Sequence, residues 1–251
     1  MSALIAAVAM LAVVGCNSAP AAPPLTDPKE ILVRTVAALQ EIKSATIKGT
    51  FAGSINAEEM GQIDLSSVKL DVSLDVPGKK ARVQLDAPTF MGTNADIIVP
   101  ADGFVYMKIL GPFAAFVGAP TTGKYMKTSA GEGAVPDEAT DPTQALNELR
   151  SGLDKLPKPP EKLADERCGD QDCYHVRIAL TAADLAAMGQ DASGFTGDMT
   201  FDVWTRKNDL RPGKVGFSVN AGAQGTVSGT FEFTFDQGVN ITAPPADQVT
   251  G

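Results

Sequence analysis

The chain contains one histidine, one tryptophan and three cysteines, and its aromatic content is only 6%. These scarcities exclude several functions. A lone His175 cannot anchor a histidine metal set. No Gly-x-Ser-x-Gly elbow exists to build a hydrolase triad around it. His175 reads instead as an outward strand residue on the wet face beside Arg177, with Asp170 and Asp172 as turn residues and Trp204 on the polar side of its strand. Basic residues number 21 against 30 acidic ones, and the net charge of −9 is scattered rather than gathered in runs. That excludes a nucleic-acid surface and a basic patch seeking anionic lipid headgroups. No repeat recurs at solenoid or propeller periods. Beyond residue 15 no segment is apolar enough to span a membrane. Neither catalysis, metal nor cofactor is expected.

What is present begins at the N-terminus. Met1–Gly15 is uncharged and apolar and ends directly on Cys16. It is shorter than the ~20 residues of a spanning helix, and it suits the h-region of an export signal. Val13-Val14-Gly15-Cys16 resembles a bacterial lipobox, which is cut before a cysteine that then carries acyl chains. No Lys or Arg precedes Leu4, so the positive n-region is missing and the natural start is expected upstream. Asn17–Pro24 is small, polar and proline-rich, the composition of an extended tether. The expected organisation is a signal peptide over 1–15, a lipidated Cys16 with its tether over 16–26, and one folded domain over 27–251. The location implied is the extracytoplasmic face of a membrane, held there by lipid.

The remaining cysteines, Cys168 and Cys173, flank Gly-Asp-Gln-Asp. Outside the cytoplasm two thiols this close are most simply a disulfide at a hairpin tip. So short a loop stabilises modestly, by about 2 kcal/mol.

Strands are the clearest local signal. Val68, Leu70, Val72, Leu74 and Val76 alternate with Lys69, Asp71, Ser73 and Asp75 until Pro77-Gly78 breaks the run. Similar runs carry Ile47, Phe51 and Ile55; Val83 and Leu85; Ile97–Val99; and Val105, Met107 and Ile109. Later runs carry Val176, Ile178 and Leu180; Met199, Phe201 and Val203; Val215, Phe217 and Val219; and Val227, Phe231, Phe233 and Phe235. Period two predicts sheet with one apolar and one wet face. Tight turns such as Arg211-Pro212-Gly213 make neighbouring strands mostly antiparallel.

Three helices are expected. Pro28–Lys43 follows the cap Asp27 and carries Leu32, Val36, Leu39 and Ile42. The segment 141–156 follows the same plan, with Asp141 as cap and Leu146, Leu149, Leu153 and Leu156 as its stripe. Thr181-Ala-Ala-Asp184 reads as a capping box opening a short helix through Met188.

The fold class is therefore mainly β with a few helices. Nine to eleven strands form a sheet large enough to curl, and so few helices cannot cover its apolar face. Its interior is either packed solid or partly hollow, and an apolar hollow open at one end is a ligand site. Between strands Phe104–Ile109 and Lys124–Thr128, the uncharged segment Gly111–Pro120 holds Phe113, Phe116 and Val117. An apolar loop either folds onto the core or rims a greasy opening.

Five segments in order carry a family resemblance: Ser44–Thr50, Asp102–Lys108, Gly123–Lys127, Asp202–Trp204 with Leu210–Pro212, and Phe235–Pro244. With the lipobox and tether ahead of them, they resemble the LppX/LprG group of cell-envelope lipoproteins, relatives of the LolA/LolB carriers. The resemblance implies a strongly curved antiparallel half-barrel with helices over its concave side. It also implies a cavity that holds an acylated lipid or lipoglycan for carriage across the envelope, with a membrane transporter as a further partner. The inward sets then place Val72, Leu74, Val83, Val105, Met107, Phe201, Val203, Phe217 and Phe233 in the cavity wall, with Phe113 and Phe116 at its mouth. The alternative is a non-catalytic envelope sensor, since related folds occur in periplasmic modulators of envelope stress. The Cys168/Cys173 pair has no counterpart in the family pattern.

Overall fold

The computed structural model describes residues 24–57, 61–90, 92–116, 118–119, 122–129, 142–189 and 197–250. Cys16, the signal segment, most of the tether and the expected cap Asp141 lie outside the described residues.

Helix α1 (Pro28–Leu39) opens the domain. Asp27 caps it as expected, its Oδ1 accepting from the N–H of Lys29 (2.8 Å) and Glu30 (3.2 Å). The helix stops a turn short of the expected Lys43. The Lys43 N–H is instead taken by the Asp236 carboxylate at 2.8 Å, and β1 (Ser44–Ala57) follows at once.

After β1 come β2 (Gly61–Asp64), β3 (Lys69–Asp75), β4 (Lys80–Ala87), β5 (Thr93–Val99) and β6 (Phe104–Leu110). A helical turn, α2 (Phe113–Phe116), leads to β7 (Tyr125–Ser129). Helix α3 (Pro142–Asp154) precedes β8 (Glu161–Lys162), β9 (Glu166–Cys168) and β10 (Gln171–Thr181). Helix α4 (Ala182–Ala187) opens on the capping box: the Thr181 hydroxyl accepts from Asp184 N–H, and Asp184 accepts from Thr181 N–H. The chain closes with β11 (Asp198–Arg206), β12 (Pro212–Asn220), β13 (Gly225–Phe235) and β14 (Val249–Thr250).

All of these strands join one curved, unclosed sheet in the order β14-β7-β6-β5-β4-β3-β1-β13-β12-β11-β10-β8, with β2 on β1 and β9 on β10. Neighbours are antiparallel except β14 on β7. The sheet is two meanders, β3–β7 and β10–β13, stitched together by β1. On one side β1 pairs with β13 from Ala45↔Phe235 to Ile55↔Gly225, and on the other with β3 through Ile47↔Val72. Strands of two to four residues (β2, β8, β9, β14) carry no readable period and were not expected.

Register sends every apolar alternation to the same side. Val203–Val215–Phe231–Gly49–Leu70–Leu85–Ala95–Ile109 forms one transverse row, and Ile47–Val72–Val83–Ile97–Met107 forms the next. The opposite, convex side carries polar rows. One runs Lys214–Glu232–Lys48–Asp71, alternating in sign across four strands. Opposite charges facing one another across a ladder stabilise the pairing.

Helices α1 and α3 cover one end of the concave side. Ile31, Leu32 and Val36 of α1 and Leu153 of α3 pack on Tyr174 and Val176 of β10, with Ile178 and Val203 adjoining. Burial of these side chains is the main force docking the helices, at ~1.5–3 kcal/mol per fully buried aliphatic residue. Direction comes from hydrogen bonds: Thr35 Oγ1 lies 2.7 Å from Thr205 Oγ1, beside the β-bulge of β11, and the Tyr174 hydroxyl accepts from Leu25 N–H at 3.1 Å. Leu149 departs from the expected stripe. It is 50% exposed, while Leu153 is buried and Leu146 and Leu156 adjoin the cluster.

A second cluster lies on the convex side. There Ile241, with Val239 and Val249 from the C-terminal segment, covers Ile98, Tyr106 and Tyr125.

Candidate functional site

The concave side is the one extended apolar surface that register assembles from distant parts of the described chain. Val72, Leu74, Val83, Val105, Met107, Phe201, Val203, Phe217 and Phe233 all stand on it. No charged side chain stands on that face of β1, β3–β6 or β11–β13; on β10 Asp172 stands there at the hairpin end, and Lys162 of β8 faces Val176 at the sheet's edge.

Its ends are closed and its middle is not. At one end α1 and α3 cover β10 and β11. At the other, Ala114 and Ala119 of the Gly111–Pro120 segment pack on Ile109, with Ala95 and Met107 beside them. Among the described residues of this apolar segment, Ala114 and Ala119 are thus the ones that fold onto the sheet. The side chains of Phe113 and Phe116, expected at a mouth, lie outside the described residues. Between these covers Val72, Leu74, Val83, Ile97, Phe51, Phe217, Phe231 and Phe233 are only half-buried. Val105 differs from the other wall residues: it is 2% exposed, already covered by protein atoms.

Three phenyl rings form the floor of this trough. The Phe217 and Phe231 rings lie within 21° of parallel, centroids 6.0 Å apart, and Phe51 meets them edge-on at 6.2 and 5.8 Å. Edge-to-face contacts of this kind add about 0.5–1.5 kcal/mol beyond area burial. The Phe235 ring, at the strand's end, is buried beneath the guanidiniums of Arg206 and Arg211 at 5.3 and 5.7 Å.

Two open clefts lie apart from the middle of the trough. One, of about 630 Å³, opens between Thr26–Lys29 and the segment Leu153–Pro160. The other, of about 520 Å³, sits beside the Cys168–Cys173 hairpin and reaches Phe233 and Phe235. The middle of the trough keeps its apolar side chains partly exposed.

The titratable groups gather on the convex side. His175 departs from expectation: it is on the polar face but 4% exposed rather than wet. Its Nδ1 faces Glu166 Oε1 at 3.2 Å and its Nε2 faces Asp202 Oδ1 at 2.7 Å. Trp204 stacks on the imidazole, with centroids 4.2 Å apart, and donates its Nε1–H to Glu166 at 3.1 Å. Lys214 Nζ sits 3.7 Å from the centre of the indole. Arg177 forks onto Asp202 at 2.9 and 3.1 Å, which raises the guanidinium above its ordinary range. The Trp204 N–H, with the adjoining His175 ring and the Lys214 ammonium, holds Glu166 below the usual carboxylate range. Trp204 and the two carboxylates close over the ring, and His175 becomes a buried staple between β9, β10 and β11. Its paired carboxylates face away from the trough.

A second staple holds the other end. Arg82 donates twice to Asp96 (3.0 and 2.8 Å) and the Tyr125 hydroxyl donates to the same carboxylate at 2.7 Å. Burial opposes the Asp96 charge, but these donors outweigh it and keep the group below its usual range. Burial, then the bond to Asp96, pushes Tyr125 up to about 12. The hairpin cysteines Cys168 and Cys173 are bonded to each other across the Gly169-Asp170 turn.

An unclosed antiparallel half-barrel with an apolar concave side, helices over one end and polar staples on its back defines the class: the curved-sheet fold of the LppX type. Among solved structures, the chain is similar to the lipoprotein LppX of Mycobacterium tuberculosis, with a TM-score of 0.50 and 9% identity over 86% of this chain and 98% of that one. It is likewise similar to LprF of Mycobacterium bovis, with a TM-score of 0.51 and 14% identity over 86% of this chain and 96% of that one. The resemblance read from the sequence is therefore visible in the fold. No family model matches the sequence, and no curated protein matches it.

Proposed function

We propose that this chain is an extracytoplasmic lipoprotein, anchored through acylated Cys16 after loss of residues 1–15 and tethered over 16–26. In this reading its domain, 27–251, carries an acylated lipid or lipoglycan. The observation that supports this most is the uncharged, half-exposed middle of the concave face, bounded by Val72, Val83, Phe217 and Phe233. Water in contact with so much apolar surface is unfavourable, and an acyl chain laid along it removes ~0.8 kcal/mol of that cost per buried methylene. With no charge on β1 or β3–β6 in the middle of the trough to meet a headgroup, the hydrocarbon is the part held there and the headgroup stays in water. Eight buried methylenes already approach ~6 kcal/mol, so release into a second membrane requires a partner or a movement of the covers. The structures of the same fold include a protein described as a lipoprotein, in keeping with this reading. Among the described residues no helix is long and apolar enough to cross a membrane. The reading is tested by native mass spectrometry of the chain carrying Cys16→Ser, which removes its own acylation. A non-covalent lipid mass supports it, and a bare protein that binds no fatty acid or diacylglycerol overturns it.

A further inference from the structure

The trough floor contains two residues whose identity neither the backbone nor the strand pattern requires. Gly49 and Gly229 face the concave side in the interiors of β1 and β13, where glycine weakens a strand. Neither has the positive φ that would demand glycine. What demands it is an aromatic ring. A Cβ on Gly229 would stand 2.3 Å from Cε1 of Phe217 and 2.9 Å from its Cζ. A Cβ on Gly49 would stand 2.9 Å from Cε1 of Phe231. Register explains the arrangement: Gly229 is flanked by Phe51 and Phe217, and Gly49 by Phe231 and Leu70. Each ring therefore lies down over its neighbour's glycine, in the manner of aromatic rescue.

Resting on the lipid-trough reading, we infer that Gly49 and Gly229 set the depth of the trough, and with it the volume of hydrocarbon it admits. With glycine below, the two rings lie along the sheet and form a low floor. With any larger residue, the contacts above force the ring up into the space an acyl chain would occupy. The pairs thus determine specificity for chain length and number, while the walls supply only apolar surface.

The test uses the chain carrying Cys16→Ser as parent, with Gly229→Ala, Phe217→Ala and the double variant built on it. Bound lipid mass is read by native mass spectrometry, and palmitate and decanoate affinities by displacement of a fluorescent fatty acid. Gly229→Ala is expected to weaken palmitate at least about tenfold, as loss of roughly two buried methylenes implies, and to change decanoate by less than about threefold. The double variant, which removes the raised ring, is expected to restore palmitate binding. A purely structural role for the glycine would lower stability without altering the palmitate-to-decanoate ratio. A folded Gly229→Ala protein with the parent's ratio and bound mass overturns the inference. Should Gly229→Ala fail to fold, Phe217→Ala decides: heavier bound lipid or tighter palmitate supports the inference, and parental values overturn it. If the parent itself binds no lipid, the trough reading fails. If the parent is loaded and the variants match it, only the glycine inference fails.

Discussion

Replacing Val83 by aspartate separates a surface that holds hydrocarbon from one that is merely part of a core. Val83 lies in the uncovered middle of the trough, paired with Val72 on one side and Ile97 on the other, and is half-buried. In the free protein the new carboxylate reaches water. The folding cost is then the lost half-burial of a valine, ~1 kcal/mol, and a strand-propensity penalty of similar size. Occupation by an acyl chain changes the balance, because the carboxylate must be desolvated with no cation on that face of the neighbouring strands β1 and β3–β6 to pair with it. Its cheapest course is to take up a proton. From an ordinary pKa of about 3.9 that costs some 3 units at pH 7, or about 4 kcal/mol, a loss of about a thousandfold in affinity. The loss in affinity shrinks about tenfold for each pH unit lowered and vanishes near pH 4. Fatty-acid affinity of Val83→Asp and parent protein, measured from pH 7 to pH 4.5 alongside urea unfolding, checks both halves. A folded variant that binds within about threefold of the parent at pH 7, with the same pH dependence, refutes the reasoning.

Three further outcomes follow from the packing. Ile31→Ala empties a site that is 0% exposed beneath α1, so it should cost roughly 2–5 kcal/mol, a fall of about 4–20 °C in melting temperature; calorimetry showing a shift under about 2 °C contradicts the helix docking described. Replacing Cys168 and Cys173 together by serine releases a short loop and should cost about 2 kcal/mol in urea unfolding; no loss at all contradicts a disulfide that constrains the unfolded chain. The Lys158 ammonium, with the Thr181 N–H and hydroxyl, holds Asp184 down to about 2 against an ordinary 3.8. A depressed carboxylate stabilises fully above its unfolded pKa and loses that contribution as pH falls through its folded one. Parent stability should therefore decline between about pH 4 and pH 2, and Asp184→Asn should flatten that part of the curve; superimposable acid profiles contradict the capping-box account.

How much of this was legible beforehand depends on the range of the signal. Leu70, Val72 and Leu74 alternate with Lys69, Asp71 and Ser73, and that local period announced β3 and its apolar face directly. The caps Asp27 and Thr181 were readable for the same reason, since each acts on residues within one turn. Pairing of β1 with β13 was not readable, because it joins Ala45 to Phe235 across nearly the whole chain and nothing local encodes it. The single-face placement of the wall residues was nonetheless implied, because period two fixes each strand's side once the sheet is granted. His175 misled for a specific reason: its alternation places it on the polar face, but burial there comes from Trp204 and Glu166, which only register brings over it. Leu149 misled in the opposite sense, as helical spacing marks a face and not how far the neighbouring element extends along it. The glycines of the floor carried a faint signal, an apolar alternation interrupted at Gly49 and Gly229, whose meaning appears only when Phe217 and Phe231 are found above them.

The central claim is that the bowed sheet offers its apolar interior to hydrocarbon from another molecule. Native mass spectrometry of the Cys16→Ser chain, isolated from a bacterial membrane host and sprayed under conditions that keep non-covalent ligands, addresses it most directly. The account predicts an added mass that solvent extraction releases as acylated lipid. A single peak at the mass of the polypeptide, unchanged after incubation with diacylglycerol or palmitate, would contradict it.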